Sequence, residues 1–163
     1  MSYPPPLYHG GSGEVSATIR PADAKPELVY PNGNRVSHLA TGHGTGGLFG
    51  LYRWEFSEAV SGPGPHFHRT ISESFYILTG EVKVYDGSAW VTARSGDFLH
   101  VPPGGLHGFR NESGAQASML LHFAPGAPRE AYFEGLGRLA AGEKWSEDEF
   151  AAFMAEHDNH WVD

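Results

Sequence analysis

Two histidines and a glutamate lie close together in the stretch GPGPHFHRTISESFYILTG, residues 62–80. Side chains at positions i and i+2 of a β-strand point to the same side, so His66 and His68 are expected to project into one space. Glu73 follows His68 by five residues, an odd number, and would face away on one continuous strand. The segment between them is therefore expected to bend, which would let Glu73 join the histidines from an adjacent strand.

A third histidine, His107, belongs to the stretch GDFLHVPPGGLHGFRN, residues 96–111. Pro103-Gly104 predicts a turn just before it, because Pro presets φ and Gly accepts a positive φ. Three imidazoles and one carboxylate suit a divalent first-row metal, and four protein ligands leave room for water, substrate or O₂. The predicted metal ligands are His66, His68, Glu73 and His107.

Both stretches resemble the two sequence motifs of the cupin superfamily. The first motif is His-x-His, three or four residues, Glu, six residues and Gly; the second is Gly, five residues, Pro-x-Gly, two residues, His, three residues and Asn. The matching positions are His66, His68, Glu73 and Gly80, then Gly96, Pro102, Gly104, His107 and Asn111. Val60 replaces the glycine expected before the first pair, which concerns a turn and not a ligand. The resemblance implies a jelly-roll barrel with the metal in its mouth, often in a homodimer.

The elements around these motifs read as short strands separated by turn residues, from about residue 14 to residue 125. The candidate strands are EVSATIR, RVSHLA, LFGLYRWEF, SFYILTG, EVKVYDG, SAWVTAR, DFLHVP and QASMLLHF. Asp86-Gly87 predicts a hairpin with a two-residue loop. This spacing favours a sandwich or barrel, so the fold class is all-β, a jelly-roll barrel of the cupin type.

The two ends of the chain differ from this pattern. Residues 1–13 are rich in Pro and Gly and are expected to form an extended arm, followed by the barrel at 14–125. Residues 126–163 are expected to form a helical segment with two amphipathic helices. The first starts at Pro128 and stops at Gly142. The second begins with Ser146 and Glu149 in capping-box spacing.

Composition narrows the function classes. The 163 residues carry a net charge of −8 and no cluster of basic residues, which argues against nucleic acid and anionic membrane surfaces as partners. The absence of cysteine excludes disulfides and thiolate metal sites. No signal sequence or membrane-spanning run is apparent, so a cytoplasmic protein is expected. The arm, exposed strand edges and amphipathic helices predict a homodimer with two-fold symmetry.

Aromatic and apolar residues near the motifs predict a substrate pocket. In GLFGLYRWEF the alternation places Tyr52 and Trp54 on one face, so that the metal would lie at the end of an aromatic cavity. The full set of predicted pocket residues is Tyr52, Trp54, Phe75, Ile77, Phe109, Leu120 and His122. No Arg or Lys cluster beside the motifs offers a phosphate clamp, so a flat or apolar organic ligand is favoured over a sugar phosphate.

A finer resemblance connects residues 39–56 and 62–84 with single-domain, quercetinase-like cupins of bacteria, which cleave flavonols with O₂. It implies a metal-dependent dioxygenase that takes an enolic or phenolic aromatic substrate together with O₂, with Glu73 as both ligand and catalytic base. The expected cofactor is one divalent ion, Fe, Mn, Ni, Co, Cu or Zn, with no organic cofactor. The alternatives are a non-oxidative metal-dependent isomerase, polyketide-type cyclase or lyase, and a non-catalytic small-molecule-binding cupin.

Overall fold

A computed structural model describes residues 2–162 of the chain, which within that range forms eleven β-strands and two α-helices. The strands are β1 (Leu28–Val29), β2 (Arg35–Ala40), β3 (Gly50–Phe56), β4 (His66–Phe67), β5 (Ser72–Thr79), β6 (Glu81–Tyr85), β7 (Trp90–Arg94), β8 (Phe98–Val101), β9 (Gly108–Arg110), β10 (Ala117–Ala124) and β11 (His160–Trp161). The helices are α1 (Arg129–Ala140) and α2 (Glu147–Glu156). The predicted all-β class with two C-terminal helices is confirmed.

Two antiparallel sheets provide the framework. The larger one has the strand order β1-β2-β3-β10-β5-β8, and a three-stranded one has the order β7-β6-β9. Buried and partly exposed residues alternate along β3 and β10, because each strand turns one face to the interior. Side chains from both sheets and both helices join in one hydrophobic core, which agrees with the predicted jelly roll.

The first candidate strand, EVSATIR, is wrong. Residues 14–20 contain no strand, and the side chains of Val15 and Ile19 are exposed. A strand needs a neighbour for its backbone N–H and C=O groups. At this edge β2 pairs with β1 instead, with Leu28 opposite Val36. The alternating residues 14–20 therefore form no strand, because they have no neighbouring strand to pair with.

The predicted hairpin at Asp86-Gly87 forms between β6 and β7, but its loop has four residues and not two. Tyr85 pairs with Trp90, so residues 86–89 make the connection. One carboxylate oxygen of Asp86 accepts hydrogen bonds from the backbone N–H groups of Ser88 and Ala89, both at 2.9 Å. This Asx-type bonding stabilises a longer loop than the dipeptide suggested.

The C-terminal helices form close to their predicted positions. Helix α1 follows Pro128, and Gly142, with φ of +96°, lies just beyond its end. Helix α2 begins with the predicted capping box, in which Ser146 and Glu149 hydrogen-bond to each other's backbone N–H. After α2 the chain turns back, and β11 pairs with β4. The C-terminal residues thus cover the region of the histidine pair.

No helix within residues 2–162 combines the length and the apolar character needed to cross a membrane. The division into an arm at 1–13, a barrel at 14–125 and a helical segment at 126–163 stays a prediction. Its outer bounds, residues 1 and 163, lie outside the described residues.

Candidate metal centre

Local backbone pairing brings the four predicted ligands together. His66 lies in β4, His68 directly after it, Glu73 in β5 and His107 just before β9. His66 and His107 exchange two backbone hydrogen bonds of 2.8 and 2.9 Å, which fix the two motifs side by side. All four side chains are at least 97% buried, and their candidate ligand atoms lie within 4.8 Å of one another. The arrangement can hold one metal ion.

The other ring nitrogen of each histidine is fixed by a backbone carbonyl. Nδ1 of His66 lies 2.9 Å from the carbonyl oxygen of Gly64, and Nδ1 of His107 lies 2.9 Å from that of Gly105. Nδ1 of His68 lies 2.6 Å from the carbonyl oxygen of Asp158, far along the chain. A carbonyl accepts only, so each Nδ1 carries a hydrogen, and a ring that is neutral presents a lone pair on Nε2.

These lone pairs meet the carboxylate of Glu73. Its Oε2 lies 3.1 Å from Nε2 of His68 and 2.9 Å from Nε2 of His107. A carboxylate oxygen and two imidazole lone pairs at such distances repel one another unless a cation lies among them, either a proton or a metal ion. Three Nε2 atoms oriented by carbonyls, with one carboxylate, form a donor set that fits a divalent first-row ion.

The electrostatics of the cluster agree with this role. Burial lowers the pKa of His66 to about 3, and the charge on His107 adds to the effect. Burial alone would raise the pKa of Glu73, but hydrogen bonds from His107 and His68 outweigh it and hold that pKa below its ordinary value. Burial would lower the pKa of His107, but the hydrogen bond and negative charge of Glu73 outweigh it and raise that pKa. Glu73 is therefore an ionised group that attracts positive charge.

An apolar cavity of about 330 Å³ adjoins the cluster, and both His66 and Glu73 line it. That volume lies at the small end of the range for organic ligands. Most of its wall consists of carbon atoms from aromatic and aliphatic side chains. The aromatic wall residues include Tyr30, Trp54, Phe109, Phe123, Tyr132 and Phe133. A flat organic molecule would contact rings on several sides.

Only part of the predicted substrate pocket lies in this wall. Trp54 and Phe109 line the cavity. Tyr52, Phe75 and Ile77 are instead core residues of the described chain and do not line the cavity beside Glu73. Two of them pack against the wall from behind: the ring centroid of Phe75 lies 5.4 Å from that of Phe109, and the ring centroid of Tyr52 lies 5.2 Å from that of Phe133.

Leu120 and His122 require a correction. In β10 the buried positions are Met119, Leu121 and Phe123, so the residues between them face the outer side of the sheet. There the ring of His122 stacks on Phe49, with centroids 5.6 Å apart. Because side chains alternate along a strand, Leu120 and His122 cannot reach the cavity that Leu121 and Phe123 line.

Several residues at the site were missed by the sequence analysis. Arg129, at the start of α1, and Tyr132, one turn later, line the cavity. Trp161 lines it as well, with its ring centroid 5.3 Å from that of His66. Asp158 supplies the carbonyl for His68. The only local signal was the Asp-Asn pair at 158–159, which indicates a turn but not its position in the fold.

Comparisons with known proteins agree with this geometry. Residues 53–123, which contain all four candidate ligands, match the cupin domain family. Quercetin 2,3-dioxygenase of Bacillus subtilis (strain 168) is 33% identical over 85 residues, which cover 48% of this chain and 25% of that protein. Polyketide synthase CurC of Streptomyces cyaneus is 29% identical over 118 residues, which cover 68% of this chain and 74% of that protein.

Solved structures support the fold. A predicted oxalate decarboxylase from Thermotoga maritima superimposes with a TM-score of 0.59 at 21% identity, over 67% of this chain and 99% of that one. The match to the dioxygenase spans only a quarter of that protein. Its activity is therefore not transferred to this chain by similarity alone.

Proposed function

Because the chain belongs to the cupin superfamily, we propose that it is a metal-dependent dioxygenase acting on an enolic or phenolic aromatic substrate. The observation that carries the proposal is the buried cluster of three histidines and Glu73 at the wall of an aromatic cavity. The partial similarity to quercetin 2,3-dioxygenase supports it. The cytoplasmic location and the homodimeric state expected from the sequence stay predictions.

The cluster would supply both the metal site and a base. His66, His68, Glu73 and His107 would hold the ion, which when bound would act as a Lewis acid towards an enolic or phenolic oxygen and towards O₂. Glu73 lines the cavity, so its carboxylate is positioned to accept the hydroxyl proton of a substrate bound there.

The surrounding chain would orient the substrate and exclude water. Trp54 and Phe109 offer ring faces to a flat molecule, and Trp161 covers the cluster near His66. Carbonyls that hold each Nδ1 keep the imidazoles from turning. The chain itself thus holds the ligating side chains in place, which reduces the ordering that the reaction requires.

A second candidate is a non-oxidative, polyketide-type cyclase. The similarity to polyketide synthase CurC covers more of both chains than the similarity to the dioxygenase does. The same cavity would hold a flexible polyketide chain, and Glu73 would accept a proton from an enolisable carbon. Such chemistry needs the same ligands and the same dry cavity but consumes no O₂.

Turnover with and without O₂ distinguishes the two candidates. The protein is reconstituted separately with Fe, Mn, Ni, Co, Cu and Zn and tested on flavonols, diketones and hydroxyquinones, while substrate loss and O₂ uptake are recorded together. Uptake that matches substrate loss would support the dioxygenase. Equal rates in anaerobic solution would contradict it and favour the cyclase or another non-oxidative reaction.

Glu73→Gln tests the role of the carboxylate. The amide nearly keeps the shape and can coordinate weakly, but it accepts no proton, so some metal should remain while turnover falls by roughly 10²- to 10⁴-fold. Glu55→Gln is the matched control, because Glu55 lies in β3 and pairs with Arg35 at 3.1 Å, outside the cavity wall. Full activity in Glu73→Gln would show that the carboxylate is a ligand only.

A further inference from the structure

The cavity contains a buried positive charge that the proposed reaction does not use. Arg129, the first residue of α1, is 4% exposed and lines the same cavity as His66 and Glu73. Arg129 does not belong to a cluster of basic residues, so its position in the sequence does not indicate an anion site. A buried guanidinium normally requires a negatively charged partner.

No such partner is present within residues 2–162. No carboxylate oxygen of the described chain lies within 4.0 Å of the Arg129 guanidinium. Its terminal nitrogens donate to the carbonyl of His157 at 2.7 Å and to the side-chain oxygen of Asn159 at 3.2 Å, both neutral. Its Nε has no hydrogen-bond partner. The carbon of the guanidinium lies 4.1 Å from the ring centre of Tyr132.

The other polar groups of the wall add donors rather than negative charge. Trp54 has a buried indole N–H without a partner among the described residues. The hydroxyl oxygen of Tyr132 accepts a hydrogen bond from Asn159 at 2.7 Å. Glu73 brings one negative charge, but its carboxylate is engaged with His68 and His107. With a divalent ion in the cluster, the charges of the ion, Glu73 and Arg129 would sum to a positive value.

We propose that Arg129 binds an anionic oxygen group of the ligand, so that the cavity takes aromatic molecules that carry a carboxylate beside their enolic or phenolic hydroxyl. The inference rests on the proposed function in one respect, that this cavity is the substrate site. Each terminal nitrogen of Arg129 uses one N–H on His157 or Asn159 and keeps a second, which would donate to the ligand's anionic oxygen while the ligand's rings lie against Trp54. A charge-assisted hydrogen bond of this kind is about twice as strong as a neutral one.

A pair of ligands that differ only in charge tests the proposal. Binding of a hydroxynaphthoic acid and of its neutral amide is measured by isothermal titration calorimetry with the zinc-loaded protein, which binds without oxidising. The wild type should bind the acid roughly tenfold or more tightly than the amide, the margin of one charge-assisted hydrogen bond. Arg129→Gln should remove that preference, and Arg129→Lys should keep part of it.

Arg110→Gln is the matched control. That guanidinium also stacks on an aromatic ring, 4.2 Å above Trp90, but it does not line the cavity. The control should keep the full preference for the acid. Circular dichroism and thermal unfolding of each variant show whether it is folded.

Three results would overturn the proposal: equal binding of acid and amide by the wild type, no binding of either at millimolar concentration, or an unchanged preference in Arg129→Gln. If Arg129→Gln does not fold, Arg129→Lys decides. A preference as large as that of the wild type would then show that the N–H groups of the planar guanidinium do not select the acid, which would overturn the proposal. Failure of the O₂ test would leave these binding results unaffected, so the two proposals fail separately.

Discussion

Replacement of Asp158 should weaken both the fold and the metal centre. Its carboxylate accepts hydrogen bonds from the backbone N–H of Arg69 at 3.0 Å and of Thr70 at 2.8 Å, and from the Thr70 hydroxyl at 2.7 Å. It therefore fixes the bend between β4 and β5 that separates His68 from Glu73. Its own carbonyl oxygen holds Nδ1 of His68. One residue thus joins the C-terminal segment to the histidine pair.

The size of the effect follows from the pKa of this carboxyl. Burial alone would raise it, but hydrogen bonds from the Thr70 hydroxyl and from the N–H groups of Arg69 and Thr70 lower it from 3.8 to about 2. A pKa difference of that size means that the ionised carboxylate stabilises the folded state by roughly 2 kcal/mol. Asp158 also has φ of +55°, which Asn tolerates and Ala adopts at a further cost of about 1 kcal/mol. We expect losses of about 2 kcal/mol for Asp158→Asn and about 3 kcal/mol for Asp158→Ala.

Urea unfolding of the metal-free protein measures these losses. The folded pKa lies below the unfolded one, so the contribution is fully present above the unfolded pKa and disappears as the pH falls through about 2. The difference in stability between wild type and Asp158→Asn should therefore shrink between about pH 4 and pH 2. A loss below about 0.5 kcal/mol for Asp158→Ala, as for an ordinary surface substitution, would refute the reasoning.

Zinc affinity provides the second measurement. Asp158→Ala keeps the backbone carbonyl that holds His68 but removes the carboxylate that fixes this carbonyl against the bend at Arg69 and Thr70, so we expect zinc affinity to fall by about 10-fold, the lower end of the range for a disturbed partner of a ligating histidine. Asp86→Ala is the matched control, because the Asp86 carboxylate also accepts several turn hydrogen bonds but lies in the β6–β7 hairpin. Equal zinc affinity in the two variants would contradict a role of Asp158 in positioning His68.

Two further predictions concern the metal and the assembly. Zinc at about 100 times its dissociation constant should stabilise the wild type by about 2.7 kcal/mol, a rise in Tm of roughly 5–10 °C. His107→Ala should abolish that rise in Tm. The control is His100→Ala, on the outer side of the sheet beside Ser74, which should keep it. An undiminished rise in His107→Ala would exclude the cluster as the zinc site. Light scattering should show a homodimer, and a monomeric wild type at micromolar concentration would contradict this prediction. Phe98 in β8 is 66% exposed, so Phe98→Glu would place a charge on the outer face of the larger sheet. Dissociation of the dimer by this variant would locate the interface on that face.

The sequence was sufficient for features that depend on near neighbours. The pairing of His66 with His68 follows from the two-residue period of a strand, which no distant contact alters. The capping box at Ser146 and the stop at Gly142 are likewise set within one helical turn. His107 could be added because its spacing from a Pro-Gly turn matched a known motif. These signals located the four ligands and the two helices.

Periodicity could not decide which face of a strand is buried. In β10 the run SMLLHF puts Met119, Leu121 and Phe123 on one face and Leu120, between Ser118 and His122, on the other, so each face carries a large apolar side chain that could lie inside. The register of β10 with β3 and β5 places Met119 inside and Leu120 outside. The same limit applies to residues 14–20, where a strand-like pattern lacks a neighbour.

Contacts between distant parts of the chain were decided by the tertiary structure alone. Asp158 lies 90 residues from His68, and its carbonyl reaches Nδ1 only because α1 and α2 return the chain to β4. Arg129 becomes a buried charge for the same reason, since α1 packs over the open side of the cavity. A sequence shows the type and spacing of such groups. Their partners depend on how the whole chain packs, because burial and charge compensation are properties of the three-dimensional surroundings.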